Sequence, residues 1–140
     1  MSQVVCNSFK VELFRAIHDF TASTGDTFKV ALYTSASTIG AATTVYTATN
    51  EAVGTGYTAG GATLASVTPT LNGITAIVDF ADVTISTVTL TYRKALIYNS
   101  TKANRAVAVF DFGSDRVISG GNLIIQMPLP DPSSAILRAT

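Results

Sequence analysis

The sequence predicts an all-β domain, an antiparallel β-sandwich or jelly-roll-like fold with one N-terminal amphipathic helix. Three observations carry this. Short runs rich in Thr, Val and Ile alternate apolar and polar residues with a period of two, which suits strands with one buried face. Turn signals, Asn72-Gly73 foremost, separate those runs. Only one stretch, near the N-terminus, has a helical period. At 140 residues the chain makes a single domain spanning residues 1 to 140, large enough to bury a core without disulfide staples.

Taken in order, residues 1 to 7 ("MSQVVCN") form an N-terminal arm and residues 8 to 20 the helix. Phe9, Leu13, Ala16, Ile17 and Phe20 recur at helical spacing, Phe14 widens the apolar face, Asn7 or Ser8 caps the first turn, and "TASTGD" ends the element. The sandwich then runs from residue 27 to 140. Phe28, Val30 and Leu32 alternate with Lys29, Ala31 and Tyr33, as in a strand with one buried face. Residues 34 to 61 are small and polar. Structureless loops of that length are uncommon in compact domains, so a short helical turn or an edge strand is expected within them. Asn72-Gly73 marks a tight hairpin, after which Ile74, Ala76, Val78 and Phe80 line one face. Val83, Ile85, Val88, Leu90 and Tyr92 continue the alternation. "RKALIYN" pairs with "RAVAVFDF" across the loop "STKAN", and "DRVIS" pairs with "NLIIQM" across Gly120-Gly121. Pro128, Pro130 and Pro132 make an extended corner before a short last strand in "AILRAT".

Composition narrows the function classes. Charged residues make up 13% of the chain, about half the usual share of a globular domain, which favours a subunit whose surface neighbours partly cover. Nine basic residues balance nine acidic ones, and that balance lacks the basic footprint of a nucleic-acid binder. No apolar run approaches the ~20 residues that cross a bilayer, and the N-terminus has no basic leader, so a soluble protein not processed for secretion is expected. Cys6 is the sole cysteine. It forms no internal disulfide and is expected as a small buried hydrophobe.

Candidate chemistry is sparse. In "NEAVGTGYTAGGATL", residues Gly54, Gly56 and Ala59 fit the loose spacing of a dinucleotide fingerprint. That site needs a strand before it and a helix opening after it, whereas strand signals follow here. Gly54 and Gly56 therefore read as a bend, Tyr57 as a packing anchor whose hydroxyl seeks a backbone partner, and Gly60 and Gly61 as the turn into the next strand. His18, the only histidine, reads as a partly exposed helical residue, separated from Cys6 by the helix. Asp79 and Asp82, three apart on a strand, point to opposite faces. Asp111 points outward between Phe110 and Phe112, and Asp115 sits in a turn after Gly113. None of these forms an acid pair for glycoside hydrolysis, and no loop has the dense acidic spacing of a calcium motif. No catalytic, cofactor or metal residues are assigned. Arg93, Lys94, Lys102 and Arg105 come together if the "STKAN" hairpin forms. They suit either contact with an acidic partner surface or protection of a sheet edge.

The phrases "ALYTSAS", "TNEAVGTGYTAGGATL" and "ALIYNSTKANRAVAVFDFG", with the closing "IIQMP", resemble small virion structural proteins of tailed bacteriophages. The resemblance implies a non-enzymatic virion subunit, foremost a capsid decoration or cement protein on the capsid exterior, made in the host cytoplasm. A tail-fibre, head-fibre or receptor-binding component is the alternative. The implied partners are the major capsid protein or other virion proteins and further copies of the chain, a trimer being favoured, with neither nucleic acid nor membrane. Val4, Val5, Phe9 and Phe14 are the expected apolar anchors of that contact, with the basic residues named above beside them.

Overall fold

A computed structural model describes residues 1–140 and shows an all-β, sandwich-like fold of two antiparallel sheets with one short helix. Ser2–Val5 is strand β1, Asn7–Phe14 is α1, Phe28–Tyr33 is β2, Ala62–Thr63 is β3, Ser66–Asn72 is β4, and Thr75–Phe80 is β5. Two long strands follow, β6 (Val83–Asn99) and β7 (Arg105–Ile125), and Leu137–Ala139 is β8. The larger sheet has the order β1-β7-β6-β2-β3 and the smaller the order β4-β5-β8.

The centre of the larger sheet is one ribbon, β6 against β7, running from Val83 opposite Ile125 to Asn99 opposite Arg105. Alternation holds on β6, where Val83, Val88, Leu90 and Tyr92 are buried as expected. The segments "DRVIS" and "NLIIQM" do not form their own hairpin. Both lie on β7 and pair with the first half of β6, because Gly120, at φ 66°, bulges the strand without reversing it. Thr87, at φ 55°, marks a matching irregularity on β6. Asp115 is thus within a strand rather than in a turn.

The N-terminal arm is not free. β1 pairs antiparallel with Ala108 to Asp111 and forms the edge of the larger sheet. Beyond Asp111 the outer side of β7 has no partner strand. The helix is shorter than its apolar spacing suggests. It ends at Phe14; Ala16 adopts a left-handed φ of 54°, and the Ile17 N–H returns to the Glu12 carbonyl. No side chain caps its start; the Cys6 and Asn7 N–H groups bond to the carbonyls of Val107 and Ala41. This reversal sends His18 and Phe20 inward, so the later members of the apolar series pack from an irregular segment.

Those inward rings join the two sheets. Phe20 stacks on Phe28 of β2 with centroids 4.5 Å apart, and Phe80 of β5 meets Phe28 at 5.6 Å and Phe20 at 6.2 Å. Phe9 closes the group against Phe20 at 6.0 Å. β2 is buried on both faces, not one: Ala31 and Tyr33 are as inaccessible as Phe28 and Leu32. The Asn72-Gly73 hairpin forms as expected, but Ile74 stands at its tip and is 84% exposed. β8 pairs with β5, so the chain after the proline corner completes the smaller sheet.

Residues 34 to 61 contain no helix or named strand, only single bridges such as Tyr33 to Glu51 and Thr55 to Thr89. Glycines let this segment lie against the ribbon. A Cβ on Gly54 would stand 2.0 Å from the Thr89 carbonyl oxygen, and one on Gly61, at φ 81°, would stand 1.8 Å from that of Val30. Replacing Gly61 with Ala is therefore expected to cost about 3 kcal/mol or more. Urea denaturation checks this, and a change within about 0.5 kcal/mol would contradict the close approach.

Candidate functional site

The residues expected to form an interface do not converge. Arg93 is bound to Asp111 at 3.1 Å, while Lys94 donates to the Ser37 carbonyl at 2.7 Å. Lys102 reaches Asp26 at 3.8 Å, and Arg105 bonds to Glu12 at 3.1 Å. The "STKAN" hairpin exists, but along β6 the first pair lies about 20 Å from the tip where the second pair sits. Each cation faces a different internal partner, so the four make no basic patch. Of the apolar anchors, Phe9 is fully buried and belongs to the core, and Val5 packs against it. Val4 is partly exposed, and Phe14 is 96% exposed.

Two buried polar clusters have no counterpart in the sequence reading. The first centres on His18, which is neither helical nor exposed: its side chain is completely buried, beside Phe9 at 4.8 Å and Phe28 at 6.3 Å. Asn99 Oδ1 accepts the N–H groups of Thr101 and Lys102, each at 3.1 Å. That fixes the amide so that Nδ2 donates to His18 Nδ1 at 2.9 Å and to Asp26 Oδ2 at 2.8 Å. His18 Nδ1 is then an acceptor, and Nε2 carries the proton donated to Glu12 Oε2 at 2.6 Å; the tautomer follows from this network. Glu12 Oε1 takes Arg105. Both ring nitrogens are thereby engaged and none faces a thiol. The continuous helix expected to separate His18 from Cys6 is absent, but the Cys6 thiol points to the Gly40 carbonyl, and burial pushes it up to about 11. A thiol so held is not an activated nucleophile.

The second cluster anchors residues 34 to 61. The buried Glu51 carboxylate accepts the Tyr46 hydroxyl at 2.6 Å on Oε2, and on Oε1 the Tyr57 hydroxyl and the Gly60 N–H, both at 2.7 Å. Tyr57 also accepts the Leu32 N–H at 2.8 Å, so its hydroxyl has the backbone partner the sequence suggested and a carboxylate besides. Tyr98 stacks on Tyr46 at 4.9 Å and donates to the Gly60 carbonyl, and Tyr33 donates to the Thr47 carbonyl. Four of the five tyrosines thus surround one acid. Tyrosines spaced along a loop carried this signal; Glu51 among small residues did not announce itself as their common acceptor.

Two of the acids weighed as candidates, Asp82 and Asp111, are bonded within the fold. Asp82 accepts the Met127 N–H at 2.7 Å, and Asp111 points outward to Arg93 and accepts the Gly113 N–H. Backbone N–H donors at Gly113 and Ser133 hold Asp111 and Asp131 below the usual carboxylate range. Some large apolar side chains stand free on the surface: Phe14, Val53 at 93% exposure and Ile74 are the most exposed of them. No helix is long and apolar enough to cross a membrane. Comparison with family models, curated proteins and solved structures finds no match in any of the three.

The Tyr57 hydroxyl serves two buried partners and the Tyr46 hydroxyl one. Tyr57→Phe is therefore expected to lose about 2 kcal/mol, and more than Tyr46→Phe, in urea denaturation. Burial pushes the Tyr33, Tyr46 and Tyr57 phenols well above their ordinary value of 10.0, and Glu51 pushes them further. The folded state thus holds these protons more tightly than the unfolded chain. The stability they add is complete below about pH 10 and is lost as pH rises beyond it. Tyrosinate absorbance should appear together with loss of structure; full ionisation of all five phenols near pH 10 in a folded protein would contradict the cluster.

Proposed function

We propose that the chain is a non-enzymatic virion subunit, foremost a decoration or cement protein bound to the exterior of a capsid. One observation carries the reading. The buried ionisable side chains, Glu12 and Glu51, are bonded into the fold, while several large apolar side chains, Phe14 and Val53 foremost, stand almost fully exposed on a chain of zero net charge. Such a surface gains by burial against a partner and desolvates few charges in doing so. The resemblance of "TNEAVGTGYTAGGATL" and its companion phrases to phage virion proteins points the same way. On this reading the partners are the major capsid protein, other virion proteins or further copies of the chain, and the protein is made in the host cytoplasm.

The contact surface differs from the one suggested by sequence. β1 is committed to the sheet edge and Phe9 to the core, so the shell contact falls to exposed apolar side chains elsewhere, Val53 foremost. Deleting residues 1 to 6 would uncover β7.

Stoichiometry tests the role. Quantitative mass spectrometry of the parent particle is expected to find the chain in a fixed ratio to the major shell subunit, and Val53→Asp to lower that ratio in particles assembled with it. Copies in ratio to tail proteins would support the tail-fibre or receptor-binding alternative, and absence from purified particles would end the virion reading.

A further inference from the structure

An apolar recess of about 130 Å³ opens beside the end of α1, walled chiefly by Leu13, Phe20, Pro69, Ala76, Val78 and Leu137. Its one charged lining residue, Arg138, is already turned to the carbonyls of Pro132 and Ser133. A recess of this size matches a phenyl ring: an apolar cavity of about 150 Å³ takes benzene. The chain carries such a ring next door. Phe14 directly follows Leu13, a wall of the recess, yet its own side chain is 96% exposed.

Charge is arranged to match. Arg15 follows the exposed ring and takes part in none of the four ion pairs. Asp19 precedes Phe20, another wall of the recess; its exposed carboxylate is held by the side chain and the N–H of Thr21 and takes part in none of the four ion pairs. Ring, recess, unpaired cation and unpaired anion all lie on or beside residues 13 to 20.

We infer that this surface is a two-fold self-association site, in which Phe14 of each copy fills the recess of the other and Arg15 meets the other copy's Asp19. Adjacent knob and hole on one surface are what an isologous contact requires, since a single approach engages both pairs at once. Zero net charge leaves no long-range repulsion between copies. Two Phe14 rings leave water per dimer, with apolar walls covered on each side. On this inference the smallest assembled unit is a pair, whereas the sequence favours a trimer. The inference rests on the reading of the chain as an assembling subunit, but it concerns the isolated protein and fails or stands apart from particle binding.

Sedimentation over about 1 μM to 1 mM tests it. The wild-type chain is expected to dimerise within that range. Phe14→Ser is expected to raise Kd at least about a hundredfold with an unchanged melting temperature, because the ring makes little contact within its own chain. Ala76→Phe, which fills the recess from within, should abolish the dimer equally, and Arg15→Glu should weaken it. A wild-type chain that stays monomeric to the top of the range overturns the inference, as does a dimer that survives Phe14→Ser or a folded Ala76→Phe. Unchanged affinity in Arg15→Glu removes the ionic contact.

Discussion

The Glu51 carboxylate is the constraint on which much of the remaining structure depends. Residues 34 to 61 offer little apolar bulk, and a segment of that composition cannot order itself by burial alone. One acid solves this by accepting three hydrogen bonds from Tyr46, Tyr57 and Gly60, while Tyr57 passes the connection on to the Leu32 N–H of the central sheet. Removing a charge from water is costly unless its oxygens are satisfied, so the carboxylate admits few alternative arrangements of its donors. The loop is thereby as well defined as a strand, without strand geometry. Glycines at 54 and 61 complete the fit by allowing backbone to approach backbone.

A second cluster, one residue along β6 from Tyr98, repeats the device with different chemistry. Asn99 uses both its oxygen and its nitrogen, tying the turn after β6 to His18 and Asp26, and Arg105 closes the chain of bonds through Glu12. Beside His18 the Phe20, Phe28 and Phe80 rings supply the apolar joint between the sheets. A shared division of labour follows: aromatic packing brings the layers together, and buried hydrogen bonds select which loop lies where. In each cluster the polar groups named are bonded to other groups of the same chain.

Much of this was legible in the sequence and some was not, for physical reasons. Period-two alternation in β6 and the Asn72-Gly73 turn identified local features that local sequence controls. The helix was overread because Ala16, Ile17 and Phe20 keep its spacing, while a left-handed Ala16, which tertiary packing imposes, ends it. Gly120-Gly121 reads as a turn or as a bulge from sequence alone; pairing with the long β6 decides for the bulge. His18 and Glu51 were missed for one common reason. A buried polar residue is marked by its partners, Asn99 and Tyr57 among them, and those partners lie on other elements. The cations at 93, 94, 102 and 105 were grouped by hairpin logic that holds for backbone and not for long side chains with nearer acids.

The uncovered stretch of β7 has a consequence for behaviour at high density. β1 shields only Ala108 to Asp111, and the strand beyond offers unpaired backbone groups to any neighbour. Open edges of this kind let sheets grow from molecule to molecule without limit. Here the left-handed kinks at Gly113 and Gly120 interrupt the edge at both ends of a short charged stretch holding Asp115 and Arg116. An incoming strand meets a broken template and cannot zip along it. Molecules crowded side by side can thus touch through their apolar side chains while their sheets stay separate, which is the difference between a reversible contact and a fibre.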